Sequence, residues 1–514
     1  MLFTSRRLRA AVLAAAAATL LASAPSAPEP LGIGDPLFPH LGNPGYDVIS
    51  YDIAFVYGGT NTEPLDAVTK IDARTTTRLE RINLDFSRGT VKSAEVNGAE
   101  AQFTTVGEDL VLTPARPVDA GRKLAITVTH TSDPRSPRGA GGWVRTTDGL
   151  AMANQADAGH RVFPCNDHPA DKAAFTFRIT APSTLTAVAN GLPEGRSTTG
   201  SNTTWLYRTR HPMATELAQV SIGRSTVIDR AGPHGLPLRD VVPTPDRALL
   251  EPWLKRTPGH IEWMESKVGA YPFETYGVLV AKADTGFELE TQTLSLFERA
   301  LFTRSERDRW YVDSIMVHEL AHQWFGDSVT PRAWADLWLN EGHATWYEAV
   351  YAEEHDKKSL QQRMRLAYTR SDGWRASGGP PAAPKPAKGG QQLGLFRPIV
   401  YDGSALVLYA LRQEIGNDAF NRLERAWVSR YRDANAGTRD FIRLASQAAG
   451  RDLSAFLRSW LYAAKTPSMP GHPDWRSETP TAERTVKPTR PGQAPQPKKA
   501  AKGAKPEGAA KAGE

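Results

Sequence analysis

The amino-acid sequence predicts an α+β protein of several domains, in which an antiparallel β-sheet domain precedes a mainly α-helical domain. Between about residues 47 and 223, apolar residues alternate with polar neighbours, the pattern of strands with one buried face. After about Pro243 the apolar residues recur at helical spacing instead. With 40% hydrophobic and 23% charged residues, the composition excludes a wholly disordered or fibrous chain.

The first residues have the pattern of an export signal. Three arginines among residues 6–9 precede an apolar run over residues 10–22, which is shorter than the ~20 residues that cross a bilayer. We therefore expect residues 1–24 to be a signal peptide and the protein to be secreted, with an uncleaved anchor helix as the weaker alternative. An exported chain with one cysteine forms no internal disulfide, so we interpret Cys165 as a buried packing residue.

The β domain is predicted over residues 25–240. The dipeptide Asn97-Gly98 is typical of a tight hairpin turn. Alternation is clearest in three groups of apolar residues: Tyr51, Ile53, Phe55 and Tyr57; Leu124, Ile126 and Val128; and Phe175, Phe177 and Ile179.

The helical domain is predicted over residues 241–470. Its clearest helix runs from Thr303 to Phe325, where Thr303 and Glu306 match a capping box and Gly326 is placed to end the helix. Helical spacing returns in three later segments: Ser404–Ile415, Asp418–Arg430 and Asp452–Tyr462.

The positive charge of the chain lies at its two ends. Residues 1–24 carry +3 and residues 471–514 carry +4 of the net +6, so the part between them carries about −1. Nucleic-acid binding by the folded part therefore has no electrostatic support. Residues 471–514, rich in Ala, Lys and Pro, are predicted to be a disordered, solvated tail, with weak contact to anionic surfaces as the alternative.

A metal-binding motif lies in the segment VHELAHQWFGD. His318 and His322 are four residues apart, so on a helix both imidazoles lie on one face and can bind a single ion. Glu319 is rotated by about 100° from His318 and can reach a water beside the metal. Apolar neighbours on both sides of the motif indicate an interior helix.

Glu341, in WLNEGHATWYEA, is the candidate for a third ligand, since the 18 residues after His322 allow a second helix to face the first. Two imidazoles and one carboxylate leave a fourth position open, as in a catalytic zinc site, and predict one Zn²⁺ per chain. Glu348 lies two turns beyond Glu341 and is predicted to accept a hydrogen bond from a ligating histidine, a role for which Asp327 is the rival.

These motifs resemble those of the gluzincin metallopeptidases of the aminopeptidase N family, and the resemblance extends over about residues 40–470. It is densest in VHELAHQWFGDSVT and WADLWLNEGHATWYEA, and it includes MANQADAGHRVFPCNDHPADKAAF and IVYDGSALVLYALR. The resemblance implies a saddle-like β-sheet domain, a thermolysin-like catalytic domain and an active site in the cleft between them.

The resemblance also implies a role for individual residues. His318, His322 and Glu341 would hold zinc, and Glu319 would be the general base. Tyr401 would stabilise the oxyanion. Glu290 and Gln155 would bind the amino-terminal end of the substrate.

The sequence departs from the family pattern in two places. In the stretch that recognises the free amino terminus, Phe287 and Thr291 replace the expected glycine and asparagine, although Glu290 matches the key glutamate. Larger relatives also continue into a C-terminal helical domain. This sequence resembles a short form without that domain, for which we expect a more open cleft.

The implied function is that of a secreted zinc aminopeptidase, which uses zinc-activated water to release the first residue of peptides with a free amino terminus. The main alternative is a thermolysin-type endopeptidase, which would also cleave peptides with blocked ends. An epoxide hydrolase and a catalytically inactive binding or scaffold protein are more distant alternatives.

Overall fold

The structure, a computed structural model, describes residues 31–135, 141–283, 285–387 and 392–478. The predicted signal peptide and most of the predicted tail lie outside these ranges. Within them, no helix combines the length and the apolar character that crossing a membrane would need. The predicted order of a β domain followed by a helical domain is confirmed.

Strands dominate the chain up to residue 223. The largest sheet has the strand order β13-β14-β11-β1-β2-β8-β4-β5, and its pairings are antiparallel except for the parallel pair β1–β11. Two smaller sheets, β3-β7-β6 and β12-β15-β10-β9, pack with it. The strands are β1 Tyr46–Val56, β2 Leu65–Thr75, β3 Ile82–Asp85, β4 Val91–Val96, β5 Ala99–Glu100, β6 Gln102–Val106, β7 Asp109–Thr113, β8 Lys123–Ser132, β9 Gly142–Arg145, β10 Leu150–Ala153, β11 Ala174–Pro182, β12 Thr186–Ala189, β13 Leu192–Thr199, β14 Asn202–Arg208 and β15 Val220–Gly223.

The predicted alternation places apolar side chains in the core of this domain. Ile53, Phe55 and Phe177 are fully buried, as strand periodicity requires. Asn97 and Gly98 join β4 to β5 with φ angles of 51° and 79°, the conformation that a tight hairpin turn needs. Cys165 is buried in the same core.

A four-stranded sheet in the order β16-β17-β18-β19 links the two domains. Its strands are β16 Ser225–Ala231, β17 Pro237–Pro243, β18 Val278–Ala281 and β19 Ser295–Glu298. On β17, Leu238 and Val242 pack in the core of the helical domain, whereas Val241 packs in the core of the β domain. The predicted boundary at 240/241 is therefore wrong, because it divides β17, whose pairing with β18 depends on residues far along the chain.

The remaining chain is mainly helical. Its elements are α1 Arg247–Leu254, α2 Thr257–Val268, α3 Arg309–Ala321, α4 Trp338–Asp356, α5 Leu360–Gly378, α6 Asp402–Ile415, α7 Asn417–Arg430, α8 Thr438–Ala449 and α9 Ser454–Tyr462, with a small parallel pair of strands, β20 Val329–Pro331 and β21 Ala434–Ala436. The three later helices expected from the sequence correspond to α6, α7 and α9, within two residues at each end.

The predicted start of α3 at Thr303 is wrong. Thr303 ends a 3₁₀ helix that begins at Arg299, and its hydroxyl donates to the carbonyl of Ala300 instead of capping α3. A second 3₁₀ turn follows, and α3 begins only at Arg309. After α3 the chain turns and reaches Gly326, whose φ of 127° is one that residues with a Cβ rarely adopt.

The predicted tail begins too early, because residues 471–478 pack against the helical domain. Trp475 is 4% exposed and belongs to the helical core. Its ring stacks on Tyr409 and on His472, and the backbone N–H of Glu478 donates to the carbonyl of Thr369. The mostly polar composition of this segment predicted disorder, although its one aromatic residue, Trp475, holds it against the helical domain.

We expect Trp475→Ala to lower the free energy of unfolding by about 3 kcal/mol, since it removes a buried aromatic side chain. Urea denaturation followed by circular dichroism measures this change. Tyr462, which is 43% exposed, provides the control, and Tyr462→Ala should stay within about 0.5 kcal/mol of the parent. Equal effects of the two substitutions would contradict the packing of residues 471–478.

Candidate active site

Helices α3 and α4 bring the three predicted metal ligands together. His318 lies in the last turn of α3, and His322 follows the helix end with a helical backbone, so both imidazoles project from one face. Glu341 lies in the first turn of α4. All three side chains are buried, with exposures of 3%, 1% and 2%.

The ligand atoms have the spacing of a small metal site. Glu341 Oε2 lies 3.3 Å from His318 Nε2 and 3.5 Å from His322 Nε2. The edge of a tetrahedron with metal–ligand bonds of ~2.0–2.1 Å is about 3.3 Å. The donor set and its spacing therefore fit zinc, and three protein ligands leave a fourth position of the tetrahedron for water or substrate.

Hydrogen bonds on the far side of each imidazole fix its orientation. His318 Nδ1 lies 3.2 Å from Glu348 Oε2. His322 Nδ1 contacts the side-chain oxygen of Asn340 and lies 3.2 Å from the carbonyl of Phe325. These acceptors favour a proton on Nδ1 and leave Nε2 free to bind a metal.

Asp327, the rival of Glu348, does not take this role. It is fully buried, and neither of its carboxylate oxygens has a hydrogen-bond partner among the described residues. Burial raises its pKa well above the usual value for an aspartate, and Glu290 adds to this increase.

Glu319 and Tyr401 lie beside the three ligands. Glu319 is 6% exposed, and one of its oxygens lies within 4.8 Å of ligand atoms of Glu290 and His322. The Tyr401 ring lies 6.0 Å from the His318 ring, measured between centroids. Burial raises the pKa of Tyr401 well above its usual value, and Glu341 and Glu290 raise it further, so the phenol keeps its proton.

Glu290 and Gln155 meet at the edge of this cluster. Gln155 Nε2 donates to Glu290 Oε1 at 2.6 Å, and Asn340 Nδ2 donates to the same oxygen at 3.0 Å. Gln155 follows the end of β10, whereas Glu290 lies in the segment before β19. The β domain through Gln155, the linking sheet through the Glu290 segment and helix α4 through Asn340 thus each contribute to the candidate amine-binding pocket.

Charges at the site act strongly on one another in the metal-free protein. Burial alone would lower the pKa of His318, but hydrogen bonds with Glu341 and Glu348 raise it to about 9. Burial raises the pKa of Glu319 to about 8, against the opposing effect of His318 and His322. A bound dication would replace the histidine protons, so metal binding should release protons.

Asn340 and Gln323 were not among the site residues expected from the sequence. Asn340 contacts both His322 and Glu290, and Gln323 Nε2 donates to the carbonyl of Glu290 at 3.2 Å. Both residues sit next to a metal ligand in the sequence. The sequence did contain a signal for these two residues. A side-chain amide within a buried motif needs a hydrogen-bond partner, which indicates a role in the site.

Two protein-family models match parts of the chain. Residues 254–460 match the Peptidase family M1 domain, and residues 147–217 match the Peptidase M1 N-terminal domain. Glutamyl aminopeptidase of Mus musculus is 26% identical over 58% of this chain and 33% of its own length. Aminopeptidase N of Streptomyces lividans is 26% identical over 59% of this chain and 37% of its own length. The chain thus spans about a third of these curated relatives.

A solved structure covers more of the chain. The M1 zinc metallopeptidase from Deinococcus radiodurans has a TM-score of 0.73 and 26% sequence identity, over 85% of this chain and 98% of its own. A mutant of that enzyme bound to a Tyr-Ser-Ala substrate has a TM-score of 0.72 and 26% identity, over 86% of this chain and 100% of its own.

Asn340→Ala should weaken zinc binding about 10- to 100-fold, because it removes the side-chain oxygen that orients His322. Competition between metal-free protein and a chromophoric chelator measures the affinity. Asn202→Ala, on the exposed start of β14, is the matched control and should bind zinc like the parent. Unchanged zinc affinity in Asn340→Ala would show that the amide does not orient His322.

Proposed function

We propose that this chain, which belongs to peptidase family M1, is a zinc-dependent aminopeptidase that releases the first residue of peptides with a free amino terminus. Curated relatives named as aminopeptidases support this activity. Solved structures support the substrate class: a mutant M1 zinc metallopeptidase from Deinococcus radiodurans is bound to a Tyr-Ser-Ala substrate, and mutants of a two-domain M1 zinc metallopeptidase are bound to L-arginine and to L-tryptophan.

The short distance from Glu290 to the reacting groups is the observation that carries the proposal. A carboxylate oxygen of Glu290 lies within 4.8 Å of ligand atoms of Glu319 and His322. In an amino acid, the amino nitrogen and the carbonyl carbon are about 2.5 Å apart, as the standard bond lengths dictate. An ammonium on Glu290 therefore places the first peptide bond beside Glu319. Because a carboxylate at this position pairs with a free ammonium and not with an acylated nitrogen, the arrangement favours an exopeptidase over the thermolysin-type alternative.

The reaction depends on proton transfer by Glu319. When zinc is bound by His318, His322 and Glu341, it supplies Lewis-acid chemistry that acidifies water and polarises a carbonyl. Glu319 accepts a proton from the attacking water and then delivers it to the leaving nitrogen. Its burial beside the histidines keeps the proton within the site between these two steps.

The other residues bind and orient the substrate. The Tyr401 hydroxyl keeps its proton and donates a hydrogen bond to the carbonyl oxygen as negative charge develops there. Glu290 accepts hydrogen bonds from the substrate ammonium. Gln155 and Asn340 hold the Glu290 carboxylate in place for this contact, since both donate to its Oε1.

Export is part of the proposal. The arginines and the apolar run within residues 1–24 support a signal peptide, and hence a secreted enzyme.

The presence of all three ligand side chains, Glu319 and Tyr401 in one site argues against the inactive scaffold alternative.

A panel of arylamides with free amino termini, their N-acetylated counterparts and internally quenched peptides tests the proposal. We expect cleavage of the free substrates only, and loss of that cleavage when a chelator removes zinc. Cleavage of acetylated or internal bonds would instead favour the endopeptidase. No cleavage of any substrate would favour the scaffold alternative.

Glu319→Gln should lower kcat by about 10²- to 10⁴-fold, because glutamine cannot accept the proton from water. Zinc content, measured by atomic absorption, should stay at one per chain, since Glu319 is not a ligand. Glu262→Gln, on the exposed face of α2, should retain full activity. Normal turnover in Glu319→Gln would remove Glu319 as the base.

Glu290→Gln should lower kcat/KM for free arylamides by about 10- to 100-fold, the loss expected when a hydrogen bond between charged partners is weakened. The ratio of rates on free and acetylated substrates is the informative measurement, and it should fall towards one. Glu95→Gln, exposed on β4, is the matched control. An unchanged ratio would exclude Glu290 as the amine anchor.

A further inference from the structure

Arg363 on α5 contacts two carboxylates from two other helices. Its Nη1 donates to Glu348 Oε1 at 2.8 Å, and its Nε donates to Asp402 Oδ1 at 2.9 Å. Glu348 lies on α4, and Asp402 is the first residue of α6. One guanidinium therefore joins three helices through two charged hydrogen bonds.

Each of these carboxylates is connected to a residue of the candidate active site, Glu348 by a contact and Asp402 by the backbone. The second oxygen of Glu348 lies 3.2 Å from Nδ1 of His318, whose Nε2 faces the metal position. Asp402 directly follows Tyr401, so the two share a peptide unit. A single residue, Glu348, thus connects Arg363 to the metal ligand His318. Another single residue, Asp402, connects it to Tyr401.

We propose that Arg363 is a positioning residue that holds His318 and Tyr401 in their relative places through Glu348 and Asp402. This inference rests on the proposed function and extends it to a residue outside the zinc motif. Among the described residues, the side-chain hydrogen bonds of Arg363 go to Glu348 and Asp402, so we infer that its effect is transmitted through these two carboxylates.

The chemistry of the guanidinium suits this role. Its donors diverge in a fixed plane, so Nη1 and Nε can serve two different carboxylates at once, whereas the lysine ammonium is a single point charge. The Glu348 side chain is 5% exposed, and the Arg363 side chain is 27% exposed. A buried carboxylate without its cation is strongly unfavourable, so loss of Arg363 would leave Glu348 without its charged partner and free to turn away from His318.

Two separable effects follow for the protein. Through Glu348, Arg363 supports the orientation of a metal ligand and hence the affinity for zinc. Through Asp402, it fixes the start of α6 and hence the place of the Tyr401 hydroxyl, which affects turnover more than substrate binding.

The test compares Arg363→Gln, Arg363→Lys and Asp402→Asn with Arg370→Gln, an exposed arginine on the same helix. Zinc affinity is measured on metal-free full-length protein by competition with a chromophoric chelator. The values of kcat and KM are measured at saturating zinc with an aminoacyl arylamide. Thermal denaturation separates folding defects from these effects.

We expect Arg363→Gln to weaken zinc binding by about 10- to 100-fold and to lower kcat by about 10-fold, with KM changed less than about 2-fold. Asp402→Asn should lower kcat and leave zinc affinity unchanged. Arg363→Lys should recover part of the zinc affinity, because its ammonium still neutralises Glu348. Arg370→Gln should match the parent in every measurement.

Parental zinc affinity and kcat in folded Arg363→Gln would overturn the proposal, even if the melting temperature fell. If Arg363→Gln does not fold, the other two variants decide. Parental kcat in Asp402→Asn overturns the link to Tyr401. Parental zinc affinity in Asp402→Asn together with weakened zinc affinity in Arg363→Lys supports the link to His318. If the parent protein cleaves no substrate, the proposed function fails, whereas the zinc measurements still decide the role of Arg363 at His318.

Discussion

The sheet β16–β19 is the constraint on which the rest of the structure depends, because each of its faces belongs to a different core. Alternate residues of β18 show this: Val278 and Val280 pack in the helical core, whereas Leu279 packs in the β-domain core. A shift of register by one residue would exchange the two faces, so both cores together fix the sheet. The segment that carries Glu290 pairs with this sheet through Leu289 and Leu296, and the amine pocket is placed by that pairing.

The polar interior of the site is stabilised by side chains that satisfy two partners at once. An amide can accept and donate together, and Asn340 accepts from His322 while it donates to Glu290. Arg363 also satisfies two partners, because its guanidinium donates to two carboxylates. Buried charges need such partners, because an unpaired charge in the interior is costly. The metal site and the amine pocket therefore belong to one hydrogen-bond network, and a change in either one affects the geometry of the other.

Local periodicity in the sequence predicted strands such as β1, β8 and β11 and the helices α6, α7 and α9. Motif spacing predicted that His318, His322 and Glu341 lie together, whereas Tyr401, Glu290 and Gln155 were expected only from the family resemblance. Local periodicity failed where distant pairing decides the outcome. The boundary at 240/241 was wrong because β17 pairs with β18 across two helices, and the tail was misplaced because one aromatic residue, Trp475, outweighs polar neighbours. The contacts of Arg363 with α4 and α6 were also beyond prediction, since no spacing along the chain indicates which helices α5 will join.

The departures at Phe287 and Thr291 from the expected amine-binding stretch leave Glu290 well supported. Thr291 is buried, and its hydroxyl donates to the carbonyl of Leu294, so this position stabilises the turn that leads into β19. Phe287 packs against the core of the β domain. The amide donors that hold the Glu290 carboxylate come instead from Gln155 and from Asn340. Because these donors lie on other segments, the identity of residue 291 does not determine whether Glu290 can bind an ammonium, and the pocket tolerates a change in its own motif.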